Sequence, residues 1–174
     1  MKKYLRILML ALAGVLILSA CGPSDADKEK AAEAAAAAEA AKPVPAPAPT
    51  ADKSAWQTYL VAVVRQNMQG VKTSHPFMYY IPPGSDQAAM DARDSQLENV
   101  GNTVARGVVP GNMLAFGGPD SKITADLIAE AFKDANAGTF KDVVVLFVGA
   151  AADSDRVKQA LVKSGAEYRF VEMK

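Results

Sequence analysis

The sequence contains little of the chemistry that most catalytic and metal sites use. Its 174 residues include one cysteine, Cys21, and one histidine, His75. A lone cysteine excludes a disulfide within the chain, and the usual zinc sites need about four His or Cys ligands. A Ser–His–Asp triad would have to bring distant residues to His75, which lies just before a predicted strand. We therefore expect no catalytic residue, no metal and no cofactor.

The longest apolar run is too short to cross a membrane. Residues 7–18 form an uninterrupted run of twelve apolar residues, preceded by Lys2, Lys3 and Arg6. A membrane-spanning helix needs roughly 20 such residues. A positive start, a short apolar run and small residues after it are typical of an export signal peptide. We predict this signal at residues 1–20.

The only cysteine follows that run directly. The sequence Leu18-Ser19-Ala20-Cys21 resembles the lipobox of bacterial lipoproteins. The resemblance implies that the Cys21 thiol is acylated, that the chain is cut just before it, and that the new amine is acylated too. Several acyl chains hold a protein firmly to a membrane, whereas one binds reversibly. The alternative is an ordinary secretory signal followed by a chance cysteine.

The residue after Cys21 bears on the membrane that would hold it. In Gram-negative lipoproteins, retention at the inner membrane is usually associated with Asp at this position, and here it is Gly22. The resemblance therefore implies a lipid anchor in the outer membrane, with the protein facing the periplasm. In a Gram-positive cell the same anchor would place it on the cell surface.

Charge gives no sign of a nucleic-acid partner. The chain has 19 basic and 19 acidic residues, and the predicted signal contains three of the basic ones and none of the acidic, which leaves 16 against 19. A nucleic-acid-binding domain carries a basic patch or stripe. We therefore expect no nucleic-acid partner. Given the predicted location, we expect the partner to be an envelope or periplasmic protein.

Residues 21–50 have the composition of a tether. Residues 25–42 are rich in alanine, the best helix former, and have no large apolar residue to bury. Residues 43–50 read "PVPAPAPT", which favours extended polyproline geometry. We predict a solvated spacer made of a helix and a Pro/Ala linker; the alternative is an oligomer of spacers packed through alanine.

Residues 51–174 have about the commonest size of a single domain. Helical and strand patterns alternate four times, and the strands read "HPFMYYIPPG", "NMLAFGG", "DVVVLFVG" and "EYRFVEM". This alternation predicts an α/β fold, a small three-layer sandwich with a four-stranded, mainly parallel sheet, doubly wound and flavodoxin- or Rossmann-like. The continuous apolar run of the third strand places it in the centre, and we expect the fourth at an edge.

Apolar spacing predicts which helix residues face the core. Ser54 is the expected N-cap of the first helix. In the second, Gly101 weakens the helical pattern. The predicted inward positions are Trp56, Tyr59, Leu60, Val63, Val64 and Met68 in the first helix, and Met90, Leu97, Val100 and Val104 in the second.

Three loops should meet at the carboxyl ends of the strands, where ligands bind in open α/β sheets. Each combines glycine with Ser or Asp just before a helix. The candidate ligand residues are Ser85, Asp86, Gly117, Gly118, Asp120, Ser121, Gly149, Asp153 and Ser154.

These residue types have three explanations. A helix N-terminus beside glycine can bind an anion, and clustered aspartates can hold a hard cation. Ser and Asp are also the preferred helix N-caps, so the same pattern arises with no ligand at all. None of the loops matches a dinucleotide or P-loop fingerprint.

Three functions fit these observations. The first is an outer-membrane lipoprotein whose domain binds or positions a periplasmic partner without catalysis. The second is a small anionic-ligand-binding protein or hydrolase that uses the Asp/Ser loops. The third is a periplasmic inhibitor or immunity lipoprotein. The sequence leaves the oligomeric state open.

Overall fold

The computed structural model describes residues 43–174. Within them the predicted α/β class is confirmed: helices cover both faces of a four-stranded parallel sheet. The predicted signal peptide, the lipidated Cys21 and the Ala-rich part of the tether lie outside the described residues.

Helices and strands alternate four times, as the sequence patterns predict. The elements are α1 Lys53–Gln66, β1 Phe77–Tyr80, α2 Gln87–Arg106, β2 Met113–Gly117, α3 Ser121–Phe132, β3 Val144–Gly149, α4 Ala151–Leu161, a 3₁₀ turn Val162–Ser164, and β4 Glu167–Glu172.

The strands follow one another across the sheet in the order β1-β2-β3-β4, and every pair is parallel. The third strand is therefore central and the fourth lies at an edge, as predicted. Right-handed crossovers between successive strands put their connecting helices on one face, and α2, α3 and α4 do share a face, while α1 covers the other. The described sheet thus has no reversal of strand order, the point at which doubly wound folds form their ligand crevice.

Successive residues of the central strands enter two different cores. Along β3, Val145 and Phe147 pack among the three crossover helices. Val144, Leu146 and Val148 pack instead against α1. Because side chains alternate between the faces of a strand, a strand covered on both sides has to be apolar throughout. This accounts for the continuous run in the sequence.

Part of the predicted linker belongs to the packed domain. Val44 and Ala46 pack against the α1 core. The Ala46 amide donates to the Lys174 carbonyl at 3.0 Å, and the Trp56 indole donates to the Ala48 carbonyl at 3.3 Å. Residues 44–48 therefore contact the domain, although the domain was predicted to begin at Ala51.

The second helix corrects one predicted core position. Leu97, Val100 and Val104 pack in the core, but Met90 is exposed. The 20-residue α2 is about 30 Å long, whereas the four-residue β1 spans about 13 Å, so the first turns of α2 extend past the sheet. Arg93 lies inward there and donates to the carbonyls of Pro82 and Gly84.

Of two further helix predictions, one is wrong and the other is confirmed. The N-cap of α1 is Asp52, whose carboxylate accepts the Ala55 amide at 2.8 Å, so Ser54 falls inside the first turn. Helix α2 runs through Gly101 without a break. A Cβ at that position would meet nothing within 4 Å, so the glycine is not required by packing.

Two buried tyrosines give opposite predictions. The Tyr59 hydroxyl is buried and has no hydrogen-bond partner among residues 43–174, and burial raises its pKa. We expect Tyr59→Phe to raise the free energy of unfolding by about 1 kcal/mol, because a desolvated unpaired group is removed. Tyr79→Phe is the matched variant: it loses the bond to Thr103 Oγ1 and should lower that free energy by about 1 kcal/mol. Denaturant unfolding measures both, and equal effects would contradict the assignment.

Candidate functional site

The three predicted loops do meet at one edge of the sheet. They follow β1, β2 and β3, which run parallel, so their carboxyl ends lie side by side. This carboxyl edge holds all nine candidate ligand residues. What their side chains contact decides between a ligand site and helix capping.

Two of the aspartates are helix caps. The Asp86 carboxylate accepts the Ala89 amide at 3.0 Å at the start of α2. The Asp120 carboxylate accepts the Ile123 amide at 2.9 Å at the start of α3. Capping is therefore the role of both residues, as one of the three explanations predicted. Ser85, beside the first cap, is exposed.

The third loop is built differently, because neither Asp153 nor Ser154 is the N-cap of its helix. Helix α4 has Ala150 at its N-cap with no side-chain hydrogen bond, and Asp153 lies inside the first turn. The Ala150 amide donates instead to Ser121 Oγ of α3 at 2.7 Å. Parallel strands bring the starts of α3 and α4 together, so a hydroxyl of one helix satisfies the amide that begins the other.

A carboxyl-edge network of Ser121, Asp126, Asp153 and Arg156 joins the two helices. Ser121 donates to Asp153 Oδ2 at 2.6 Å, and Arg156 donates to Asp153 Oδ1 at 2.8 Å. Arg156 also bonds to Asp126. Lys122 pairs with Asp126 from the other side, at 2.8 Å. The network thus forms a cross-link between helices that leaves no acid unpaired.

The network keeps both of its acids ionised. Partial burial raises the pKa of Asp153, but hydrogen bonds from Ser121 and Arg156, together with the positive charge of Arg156, outweigh it and hold that pKa below its ordinary value. At Asp126, burial is likewise outweighed by hydrogen bonds from Lys122 and Arg156 and by their charges. A general base works best with a pKa near the operating pH, and both acids are shifted away from it.

Ser154 bonds to the neighbouring strand. Its Oγ lies 3.0 Å from the Tyr168 hydroxyl, and that hydroxyl donates to the Ser154 carbonyl at 3.1 Å. Burial raises the pKa of Tyr168. The pair fastens α4 to β4, and the hydrogen bonds of these two hydroxyls join them to each other and to a backbone carbonyl instead of to a general base.

The glycines at this edge allow close packing between elements. A Cβ at Gly118 would lie 2.1 Å from the Ile81 carbonyl oxygen, and one at Gly117 would lie 2.5 Å from a Leu60 methyl. At Gly149 it would lie 2.2 Å from the Phe147 ring. The space beside each glycine is already occupied by protein atoms, so none of the three opens a cradle for a ligand.

The remaining chemistry is sparse. Within residues 43–174, no three His, Cys, Asp or Glu side chains are grouped so that they could hold a metal ion. His75 is exposed and shares a hydrogen bond with Ser74 Oγ at 2.8 Å. It precedes β1, at the opposite end of the sheet from the candidate loops.

Among residues 43–174, no helix has the length and apolarity needed to span a bilayer.

A polar pocket that the sequence did not indicate lies at the amino ends of the strands. It has a volume of about 230 Å³, and its charged lining residues are Lys72, Asp142 and Glu167. Its residues come from four separate stretches of the chain, so no local motif marks them. Asp142 has a left-handed backbone with φ of 61°, and its carbonyl accepts the Gly111 amide.

Comparison of the chain with protein-family models, with curated proteins and with solved structures found no match. The functional argument therefore depends on the residues of this chain alone.

Replacing Gly118 separates packing from ligand binding. We expect Gly118→Ala to lower the free energy of unfolding by about 3 kcal/mol, since the new methyl group meets a backbone oxygen that cannot move aside. The matched control is Gly101→Ala, where space is open; it should raise that free energy by about 0.5–1 kcal/mol. A fully stable Gly118→Ala would contradict the packing role.

The carboxyl-edge network predicts a pH dependence. A folded-state pKa below the unfolded value adds stability above the unfolded pKa and loses it as the pH falls through the folded pKa. We expect Asp153→Asn to lower the free energy of unfolding by about 1 kcal/mol at pH 7, with the difference shrinking below about pH 4. Asp155→Asn, on the same helix but exposed, is the control. A difference that persists at low pH would show that charge is not the cause.

Proposed function

We propose that this protein is an envelope lipoprotein, anchored in the outer membrane through Cys21, whose α/β domain binds or positions a periplasmic protein without catalysing a reaction. The anchor part rests on Leu18-Ser19-Ala20-Cys21 and on the short apolar run before it. Tethering of this kind raises the effective concentration of a domain near one surface without any new contact.

The non-catalytic part of the proposal rests on what the side chains of the carboxyl edge contact. Its aspartates cap helices or pair with Arg156 and Ser121, and its glycines are packed against protein atoms. Catalytic groups tend to have pKa values shifted toward their task, whereas Asp126 and Asp153 are shifted away from neutrality. This arrangement gives no support to the ligand-binding or hydrolase alternative.

Replacing Cys21 tests the anchor. We expect Cys21→Ser to leave an uncleaved precursor that takes up no labelled palmitate, because the acylated atom is gone. Ser24→Ala, just beyond the motif, is the control and should be processed, labelled and recovered with the outer membrane. Normal processing of Cys21→Ser would overturn the lipoprotein assignment.

Melting temperatures measured with small ligands test whether the domain is a small-ligand-binding protein instead. Binding to the native state stabilises it by mass action. A raised melting temperature with phosphate, nucleotides, Mg²⁺ or Ca²⁺, abolished by Asp120→Asn together with Asp153→Asn, would contradict the proposal and favour the small-ligand alternative.

A further inference from the structure

Basic side chains without a partner gather at one end of the domain. Of the 13 basic residues in 43–174, five form ion pairs. Lys53 lies over the Tyr80 ring, and Arg93 donates to two backbone carbonyls. The six that remain are Arg65, Lys72, Arg106, Lys141, Lys158 and Lys163. All six are exposed, and none forms an ion pair or a side-chain hydrogen bond with another residue of 43–174.

These six residues lie where the helices end and the strands begin. We call this end of the domain the amino edge; it consists of the last turn of each helix, the loop after it and the first residue of the next strand. The ranges are 63–77, 103–113, 129–144 and 158–167. They contain seven basic and four acidic residues, whereas the rest of residues 43–174 contains six and ten. The domain therefore has a positive end and a negative remainder.

Helix ends do not account for all of this charge. Basic residues in the last turn of a helix interact favourably with its dipole, and Arg65, Arg106 and Lys158 have that position. Lys72 and Lys141 lie in loops outside any helix. Unpaired charges of one sign on one surface attract and orient a partner of the opposite sign.

Exposed apolar side chains gather at the same edge. Of the five large apolar residues that are exposed in the described part of the chain, Phe77, Val109 and Val162 belong to it. Phe77 is 42% exposed and Val109 is 71% exposed. These two residues and Arg106 line a cavity of about 170 Å³. An apolar centre with a charged rim is the usual build of a protein interface.

We propose that the amino edge is the surface that binds the periplasmic partner, and that the partner contributes an acidic segment with an apolar side chain. The apolar side chain enters the cavity between Phe77 and Val109, and carboxylates beside it meet Arg106 and Lys72. Asn112 lines both this cavity and the polar pocket that contains Lys72, so the two cations lie on one surface. The inference rests on the proposed function, since it names the surface and the chemistry that such a partner would use.

The attachment of the chain leaves the amino edge free. The Ala46 amide bonds to the Lys174 carbonyl just after β4, and the Trp56 indole bonds to the Ala48 carbonyl at the start of α1. Both contacts lie at the carboxyl edge, so a domain held there presents its amino edge away from the attachment. Copies tethered side by side present the same positive edge, and like charges oppose their pairing through it. A different protein of opposite charge is favoured instead.

A photo-crosslinking amino acid at Val109, in the full chain and in the cells that make it, tests the surface. We expect it to capture one protein, with the cross-link mapped to a segment in which acidic residues outnumber basic ones. Met90 is the matched control, because it is 38% exposed at the other end of the domain, near the start of α2; it should give no such product. A product with a second copy, a lipid or a polysaccharide at Val109 overturns the inference.

Formaldehyde cross-linking of the same cells separates this inference from the proposed function, because formaldehyde does not select one surface. A protein captured by formaldehyde but not at Val109 overturns the inference and leaves the proposed function standing. No captured protein in either experiment contradicts both.

A charge reversal tests the chemistry of the partner. With the crosslinker at Val109, Lys72→Glu together with Lys141→Glu should reduce the yield about tenfold, because attractive contacts become repulsive. Lys53→Glu together with Lys174→Glu makes the same change of charge at the carboxyl edge and should leave the yield unchanged. Melting temperatures check that both variants are folded, and Lys72→Gln with Lys141→Gln is the milder variant, with an expected loss of about threefold. An unchanged yield in the folded amino-edge variants overturns the inference.

Discussion

Burial of β2 and β3 on both faces is the constraint from which the rest of the fold follows. Every residue of these two strands is buried, so neither face of the central sheet can meet water. Three crossover helices cover one face because sequential right-handed connections place them there. The other face depends on α1 and on residues 43–51, which pack beside it. Helix α1 is thus a necessary layer of the sandwich.

Patterns within one element could be predicted, and so could the places of β3 and β4 in the sheet and the meeting of the three loops at one edge. Side-chain contacts between helices, and the extent of the sheet beneath a helix, could not. The apolar run of β3 and the helical spacing of Trp56, Leu60 and Val63 reflect local burial, and both are confirmed. Met90 has the same spacing but is exposed, because the length of β1 decides how far the sheet extends under α2. The bond between Asp126 and Arg156 joins two helices, and no local signal marks such a pair.

The candidate site shows the same division. Asp86 and Asp120 precede their helices in the usual way, so their capping role could be expected from sequence. The Ser121 bond to the start of the next helix depends on how close two helix ends lie, which only the sheet order determines. The Asp and Ser residues that suggested a ligand site instead accept hydrogen bonds from backbone amides at the starts of the helices. These hydrogen bonds tie the starts of α3 and α4 to each other.

The position of Trp56 makes the seating of the N-terminal segment directly observable. It is the only tryptophan in the chain, it is 2% exposed, and its indole bonds to the Ala48 carbonyl. The Tyr59 ring packs edge-on against it at 5.7 Å. Lifting residues 43–51 from the domain would admit water to the indole and move its fluorescence to longer wavelength. The fluorescence of Trp56 therefore reports whether residues 43–51 are packed on the domain.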